Sequence, residues 1–357
     1  MNGHLLSHQH AYRDGSSVCG MAIVLVLAAT ASVVGCKTSS KAGTGEIAMT
    51  AQFDEARSFS DGLAAVRVGN QETGRWGYIN KSGSFVVNPQ FREATPFSEG
   101  LAAVEIGGVE NKDPISSGTP DPSWGYIDKQ GHLAIRPQFV QAGSFSDGLA
   151  PVQVGNVRTG KWGYIDKQGQ VVINARFTYA RKFAEGLAAV ELGQFETGKW
   201  GYIDKQGRVV IQVQFDLADS FAEGLAEVEI GGRETGKSGY IDKHGDFSID
   251  PQFGDGFPFS EGFAAVRVGP FPTGKWGYIN KQGIFMIKAQ FGFAASFAEG
   301  LAAVEFGGLK TGKVGYIDKQ GNFAISPHFA FAAPFADGLA PVETGEFGTG
   351  KWGYIAR

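Results

Sequence analysis

Gly231-Gly-Arg-Glu-Thr-Gly236-Lys237-Ser238 satisfies the pattern of a phosphate-binding loop letter for letter. That chemistry needs a strand before the loop and a helix after it, because the helix N-terminus supplies the N–H groups that hold the phosphate. Here Gly239-Tyr240-Ile241-Asp242-Lys243 follows, which reads as a strand and a tight turn. The same loop recurs as Thr197-Gly198-Lys199-Trp200 and Thr349-Gly350-Lys351-Trp352. The match arises only because Ser238 stands where these two loops carry Trp. The loop is therefore expected to be a turn, and no cofactor is assigned to the chain.

Other residue types invite other chemistry. A carboxylate precedes Gly in a recurring position: Asp61, Glu99, Asp147, Glu185, Glu223, Glu261, Glu299 and Asp337. Calcium takes six to eight oxygen ligands close together. One carboxylate per repeat fits a turn better, and no metal is expected. His132, His244 and His328 fall at unrelated places, without the spacing of a metal pair or a nucleophile triad. The tryptophans Trp76, Trp124, Trp162, Trp200, Trp276 and Trp352 could stack on sugar rings or pack between units. Between Gly107 and Ser123 lies the only insertion, with Asp113 and Asp121 in it. Insertions in repeat proteins map to loops, often on the binding face. These six tryptophans, Asp113 and Asp121 form the candidate binding surface. No catalytic residue is assigned, and an enzyme is not expected.

What must position these residues is a repeat. Gly-Tyr-Ile occurs eight times, and from Trp124 the copies fall 38 residues apart; the first gap is 48. Glycine is high at 53, aromatics reach 12% and charged residues only 19%, a balance that favours a turn-rich β protein. Net charge is −4 without a basic block, which argues against nucleic acid as a partner. Both cysteines, Cys19 and Cys36, precede the repeats, so the array holds no internal disulfide.

In the unit from Ala184 to Ala222, Leu187–Leu192 reads as one strand and Lys199–Ile203 as a second. Asp204-Lys-Gln-Gly207 reads as a type I turn closed by a left-handed glycine, and Arg208–Ile211 as a third strand. Val213–Phe221 reads as a crossover. Ala188 and its seven counterparts are invariant, as are Val190 and its counterparts, and period-2 alternation turns them inward. The position between them accepts Ala, Pro and Glu and is expected to face solvent. The fold class predicted is all-β: eight three-stranded antiparallel units in tandem. An open superhelix is favoured and a closed propeller-like ring is the alternative, the out-of-phase start at Glu46–Thr50 being compatible with either.

Ahead of the array, Met21–Val34 is an uncharged apolar run, shorter than the roughly 20 residues of a membrane span and suited to a signal peptide. Val33-Val34-Gly35-Cys36 is similar to a bacterial lipobox, which makes Cys36 the expected lipid attachment site. The division is residues 1–35 signal peptide of lipoprotein type, 36–46 flexible tether and 47–357 repeat domain. Lys37 is not the aspartate that, in the lipoproteins this segment resembles, retains the protein at the inner membrane, so in a diderm bacterium the outer membrane is favoured.

The units resemble WG repeats, also called KWG repeats, through Trp-Gly-Tyr-Ile-Asp-Lys-x-Gly and the downstream Phe-x-Glu-Gly-Leu-Ala-x-Val, over Gln52–Arg357. Ser238 and Val314 depart from the pattern. The resemblance implies a β-repeat module without a shared catalytic activity. The function expected is a lipid-anchored envelope scaffold that binds a protein partner. The alternative is a glycan or peptidoglycan binder using the Trp/Tyr rows. The lipid anchor is the only membrane contact expected.

Overall fold

The computed structural model describes residues 45–107, 123–157, 159–194, 197–232, 235–307 and 312–357. These form thirty-two strands, β1 to β32, in eight four-stranded antiparallel sheets. The first complete sheet holds β2 (Glu55–Ala56), β3 (Ala64–Val68), β4 (Arg75–Ile79) and β5 (Phe85–Phe91), in that order. Its pattern repeats round the chain as blades 1 to 8. Blade 8 is completed by the N-terminus: β1 (Glu46–Phe53) pairs with β32 (Lys351–Ala356), Ile47 opposite Ile355 and Phe53 opposite Trp352. The ring is closed. This is an eight-bladed β-propeller.

Two expectations are corrected here. Each unit has four strands, because the supposed crossover is strand: Val209–Phe215 is one fourth strand, and Leu217–Ala218 is the first strand of the next blade. The array is also not an open superhelix. Strand pairing between Glu46–Phe53 and Lys351–Ala356 joins its two ends, and every seam between blades is sealed alike.

The row between the invariant Ala and Val does not face solvent. Ala188 is 1% exposed and Ala189 0%. A blade in a ring has neighbours on both faces, so both alternating rows are buried. Ala189, Trp200, Tyr202, Ile211 and Phe215 of blade 4 pack against Ala218, Phe221, Ala226, Val228 and Ile241 of blade 5. The final seam joins Met49, Phe53 and Tyr354 to Phe59, Ala64, Val66 and Ile79 in the same way. Pro151 fits this doubly covered strand because the two-residue first strand has already ended beside it. The equivalent N–H of Ala103 in blade 2 finds only the Thr95 hydroxyl, at 3.0 Å. Glu227 takes this row in blade 5 with 0% exposure, and Gly256 faces it where the other blades carry Ala.

The glycine of the Trp-Gly-Tyr triplet has a packing reason. The fourth strand bulges between the Trp200–Phe215 and Tyr202–Ile211 pairs. A Cβ on Gly201 would lie 2.6 Å from the Ile211 carbonyl oxygen.

Candidate functional site

The repeated polar residues close the ring. Tyr78 of blade 1 donates its hydroxyl to the Thr95 carbonyl of blade 2. The series continues through Tyr126, Tyr164, Tyr202, Tyr240, Tyr278 and Tyr316 to Tyr354, which donates to Arg57 of blade 1, all at 2.7–2.9 Å. Burial pushes these phenols upward in pKa where a shift is resolved, for example at Tyr164 and Tyr202, so each keeps its proton to donate. The tyrosine row is 0% exposed and presents no surface.

A second belt runs round one end of the ring, here the turn face. Each acidic residue sits at φ of 52° to 58° and is followed by a glycine that also has positive φ. This is the geometry of a two-residue hairpin of type I′. Nothing lies within 4 Å of a Cβ built on Gly62, so glycine is there for its backbone angle and not for space. Each carboxylate accepts the N–H of the glycine in the next blade, from Gly100 to Asp61 (2.8 Å) round to Gly62 and Asp337 (3.2 Å). Hairpin lysines reach the same acids from the next blade: Lys167 to Glu99 at 3.0 Å, Lys243 to Glu185 at 3.1 Å and Lys319 to Glu261 at 3.1 Å. Burial works to raise the Glu185 and Glu261 pKa values. The lysine and glycine donors outweigh it and hold both below the usual value. The chain enters the ring on this face. A Cβ built on Gly45 would lie 3.2 Å from Ile355 and 3.4 Å from Ile325, and the Arg357 N–H meets the Gly338 carbonyl at 3.3 Å.

The opposite end, the loop face, carries the variation. Here the loop between second and third strands meets the junction leading to the next blade. The junction residue is Asp54, Arg92, Val140, Thr178, Asp216, Gly254, Gly292 or Ala330, one per blade. Where it is aspartate it ties the face together. Asp216 accepts the Gly231 N–H at 3.0 Å and meets Lys199 at 2.5 Å. Asp54 does the same with Gly69 (2.8 Å) and Lys351 (2.6 Å). Burial opposes ionisation of both, and the donors prevail and lower both pKa values.

The residues of the first strands and those just after them also differ by sector. In blades 1 and 2, Arg57 meets Glu93 at 2.5 Å and lies 4.3 Å over the Trp76 ring, and Arg67 meets Glu55 at 3.1 Å. Burial, only partly offset by Arg57, raises the Glu93 pKa. In blades 6 to 8 the same places hold rings. Phe257 stacks on Trp276 at 5.1 Å, and Phe331 touches Trp352 at 5.5 Å and Phe347 at 6.1 Å. Phe347 is 50% exposed.

The sequence-derived candidates divide accordingly. Trp76, Trp162, Trp200 and Trp276 are buried in the seams, and Trp124 and Trp352 are half-buried. Cys36, Asp113 and Asp121 lie outside the described residues. In the loop that matches the phosphate pattern, Gly236 donates to the Gly232 carbonyl at 2.6 Å, and Lys237 opens the strand Lys237–Ile241, not a helix. His132 lies 3.3 Å from Asp128 and His328 2.7 Å from the Ser326 carbonyl, each on its own local partner. Among the described residues no three His, Cys, Asp or Glu side chains form a group that could hold a metal. Sequence reasoning missed the junction column. Its signal was the run Gly254, Gly292, Ala330 beside an unchanged lysine.

A family described as "WG containing repeat" matches residues 43–71, 76–109, 124–157, 162–194, 200–233, 239–269, 276–309 and 315–352. The chain belongs to this WG-repeat family. No curated protein matches it. Among solved structures it is similar to a eukaryotic initiation factor, at 12% identity and TM-score 0.54, over 88% of this chain and 90% of that one. It is also similar to prolyl oligopeptidase B of Galerina marginata, at 12% identity and TM-score 0.53, over 82% of this chain and 56% of that one. Oligopeptidase B of Trypanosoma brucei, at 9% identity and TM-score 0.51, is covered over 54% of its length by 85% of this chain. The WG-repeat chain thus spans about half of each peptidase. At these identities the likeness carries the fold alone.

Proposed function

We propose that this WG-repeat protein is a non-catalytic binding scaffold of the cell envelope, anchored by lipid at Cys36, that presents its loop face to a protein partner. The observation that carries this reading is the division of labour between positions. The invariant tyrosines, acids and glycines are all used up in blade-to-blade bonds, whereas the loop face changes residue from blade to blade on a fixed frame. The tether fits as well. The chain joins the ring at Gly45 on the turn face, so an anchor at Cys36 leaves the loop face turned away from the membrane. The outer membrane is the address this reading favours. To test it, a photo-crosslinking residue is placed at Phe347 on the loop face and, in a second protein, at Gln206 on the turn face, and both are expressed in the native envelope. Capture of a discrete protein from Phe347 but not from Gln206 is expected. Equal capture from both, or none from Phe347, refutes the loop face as the binding side. Release of a Cys36→Ser protein from membranes tests the anchor separately.

A second reading rests on one cluster. Phe331, Phe347 and half-buried Trp352 expose aromatic edges together, as a sugar-binding platform does. Glycan binding lost on Phe347→Ala would favour it.

A further inference from the structure

We infer that the loop-face arc of blades 5 to 7 is a docking surface for an acidic, extended polypeptide segment. The inference rests on the proposal that the loop face binds a protein, and gives that partner its chemistry.

Six blades place a lysine immediately before the tryptophan position: Lys161, Lys199, Lys237, Lys275, Lys313 and Lys351, all exposed. In three of them the junction residue of the same blade takes the ammonium. Lys161 donates to the Thr178 hydroxyl at 3.2 Å, Lys199 meets Asp216 at 2.5 Å and Lys351 meets Asp54 at 2.6 Å. In the three consecutive blades 5, 6 and 7 the junction residue is Gly254, Gly292 or Ala330, which has nothing to offer a cation. The lysine is kept and its partner is gone. Among the described residues Lys237, Lys275 and Lys313 have no ion pair or hydrogen bond through the side chain.

Each of these ammonium groups also has an exposed apolar neighbour on the adjoining strand. Ile230 is opposite Lys237, Val268 opposite Lys275 and Phe306 opposite Lys313, with exposures of 41%, 46% and 53%. Glu229 and Glu305 lie one residue before Ile230 and Phe306, and their carboxylates turn to the loop glycines Gly236 and Gly312, Glu305 being buried there. The arc therefore alternates cation and apolar group over three blades of a rigid ring. It complements a chain in which carboxylates alternate with apolar side chains, with the charges setting encounter and register. A lipid surface would meet the same chemistry, and the vesicle arm of the test below separates it from a peptide; under the anchoring proposed above the chain joins the ring at Gly45, on the opposite face.

The probe is a short fluorescein-labelled peptide of alternating Glu and Phe, with a Lys/Phe peptide as its counterpart, read by anisotropy on the full ring. The acidic peptide should bind, the basic one should not, and salt should weaken binding as the charges are screened. The triple variant K237A/K275A/K313A should lose about tenfold or more in affinity, the sum of three modest charge contacts. The matched triple K161A/K199A/K351A should lose less than about threefold, since those lysines are already paired. Equal losses in the two triples, no loss in either, or equal binding of the basic peptide overturns the inference. Binding to phosphatidylcholine–phosphatidylglycerol vesicles that depends on the first triple, without peptide binding, also overturns it in favour of a membrane. If capture from Phe347 persists while the peptide fails to bind, the loop face stands and only its assigned partner chemistry falls.

Discussion

The two ends of the ring are built from the same repeats and treat them oppositely. On the turn face every carboxylate is matched by a glycine N–H of the next blade, and this belt runs unbroken from Asp61 through Asp337 to Gly62. On the loop face the equivalent tie, lysine to junction acid, is made in blades 4 and 8 and abandoned in blades 5 to 7. A repeat protein cannot relax at both ends and remain a ring. The turn face fixes blade-to-blade geometry, and that constancy lets the loop face diverge without loss of register.

The strongest way to break this contrast is to open the ring. In a chain lacking residues 46–53, β32 loses its outer neighbour and the last seam loses Met49 and Phe53. Each buried side chain of this size is worth about 1.5–3 kcal/mol, so a loss of about 4 kcal/mol or more is expected. Urea unfolding followed by tryptophan fluorescence measures it. A midpoint unchanged from the full chain would mean that the seams, and not closure, hold the array.

Next come the two alanine rows. Ala188→Leu and Ala189→Leu each force three carbons into a packed seam, one on either side of the same sheet. Both should cost about 1–3 kcal/mol. Thermal melts of the two variants give the answer. A harmless Ala189→Leu would restore the solvent-facing assignment that the ring overturns.

That assignment shows where the sequence was readable. The period, the inward Ala/Val rows and the Asp-Lys-Gln-Gly207 turn are local, and local pattern found them. Gly207 indeed has φ of 78° and donates to the Asp204 carbonyl at 2.8 Å. Leu217–Ala218 escaped because two residues show no alternation. Ala189 was misplaced because alternation separates two faces without saying that both are covered. Closure rests on Ile47 meeting Ile355, a pairing with no local signature beyond the chain starting out of phase. At the site, the tryptophans drew notice by type, although four are seam packing. The informative change was the loss of a polar residue at Gly254, Gly292 and Ala330, which is visible only once Lys199 is known to need Asp216.

A smaller effect separates the belt from the seams by pH. Glu185 bonds the Gly224 N–H at 3.2 Å and Lys243 at 3.1 Å, and its pKa lies below the usual value. A depressed carboxylate pKa contributes stability that is present above the unfolded pKa, about 4.3, and is lost as pH falls through the folded one. Glu185→Gln should therefore cost about 0.5–1 kcal/mol near neutrality, and the gap to the natural protein should narrow as pH drops below about 4. Melting curves at several pH values measure the gap. A difference that stays constant with pH would remove the ionised belt from the account of the turn face.

The smallest effect bears on the loop face itself. Lys199→Ala leaves Asp216 without its ammonium, though the Gly231 N–H remains. Lys199 is 48% exposed and Asp216 21%, so solvent screens the pair and the cost should be only about 0.2–1 kcal/mol. Lys237→Ala removes the equivalent cation one blade on, where the junction residue is Gly254, and should stay within about 0.3 kcal/mol of the natural protein. The pair of variants compares one position with and without its junction acid. Unfolding midpoints measured at low salt, where screening is weakest, give the best resolution. Restoring the acid sharpens the comparison further. Ala330→Asp, at a junction that already carries a Cβ, should offer Lys313 the contact that Lys199 has, and should make Lys313→Ala as costly in that background as Lys199→Ala is in the natural one. If Lys237→Ala is already the more costly change in the natural protein, Lys237 has an internal role, and the idea that blades 5 to 7 keep their lysines for an outside partner loses its basis.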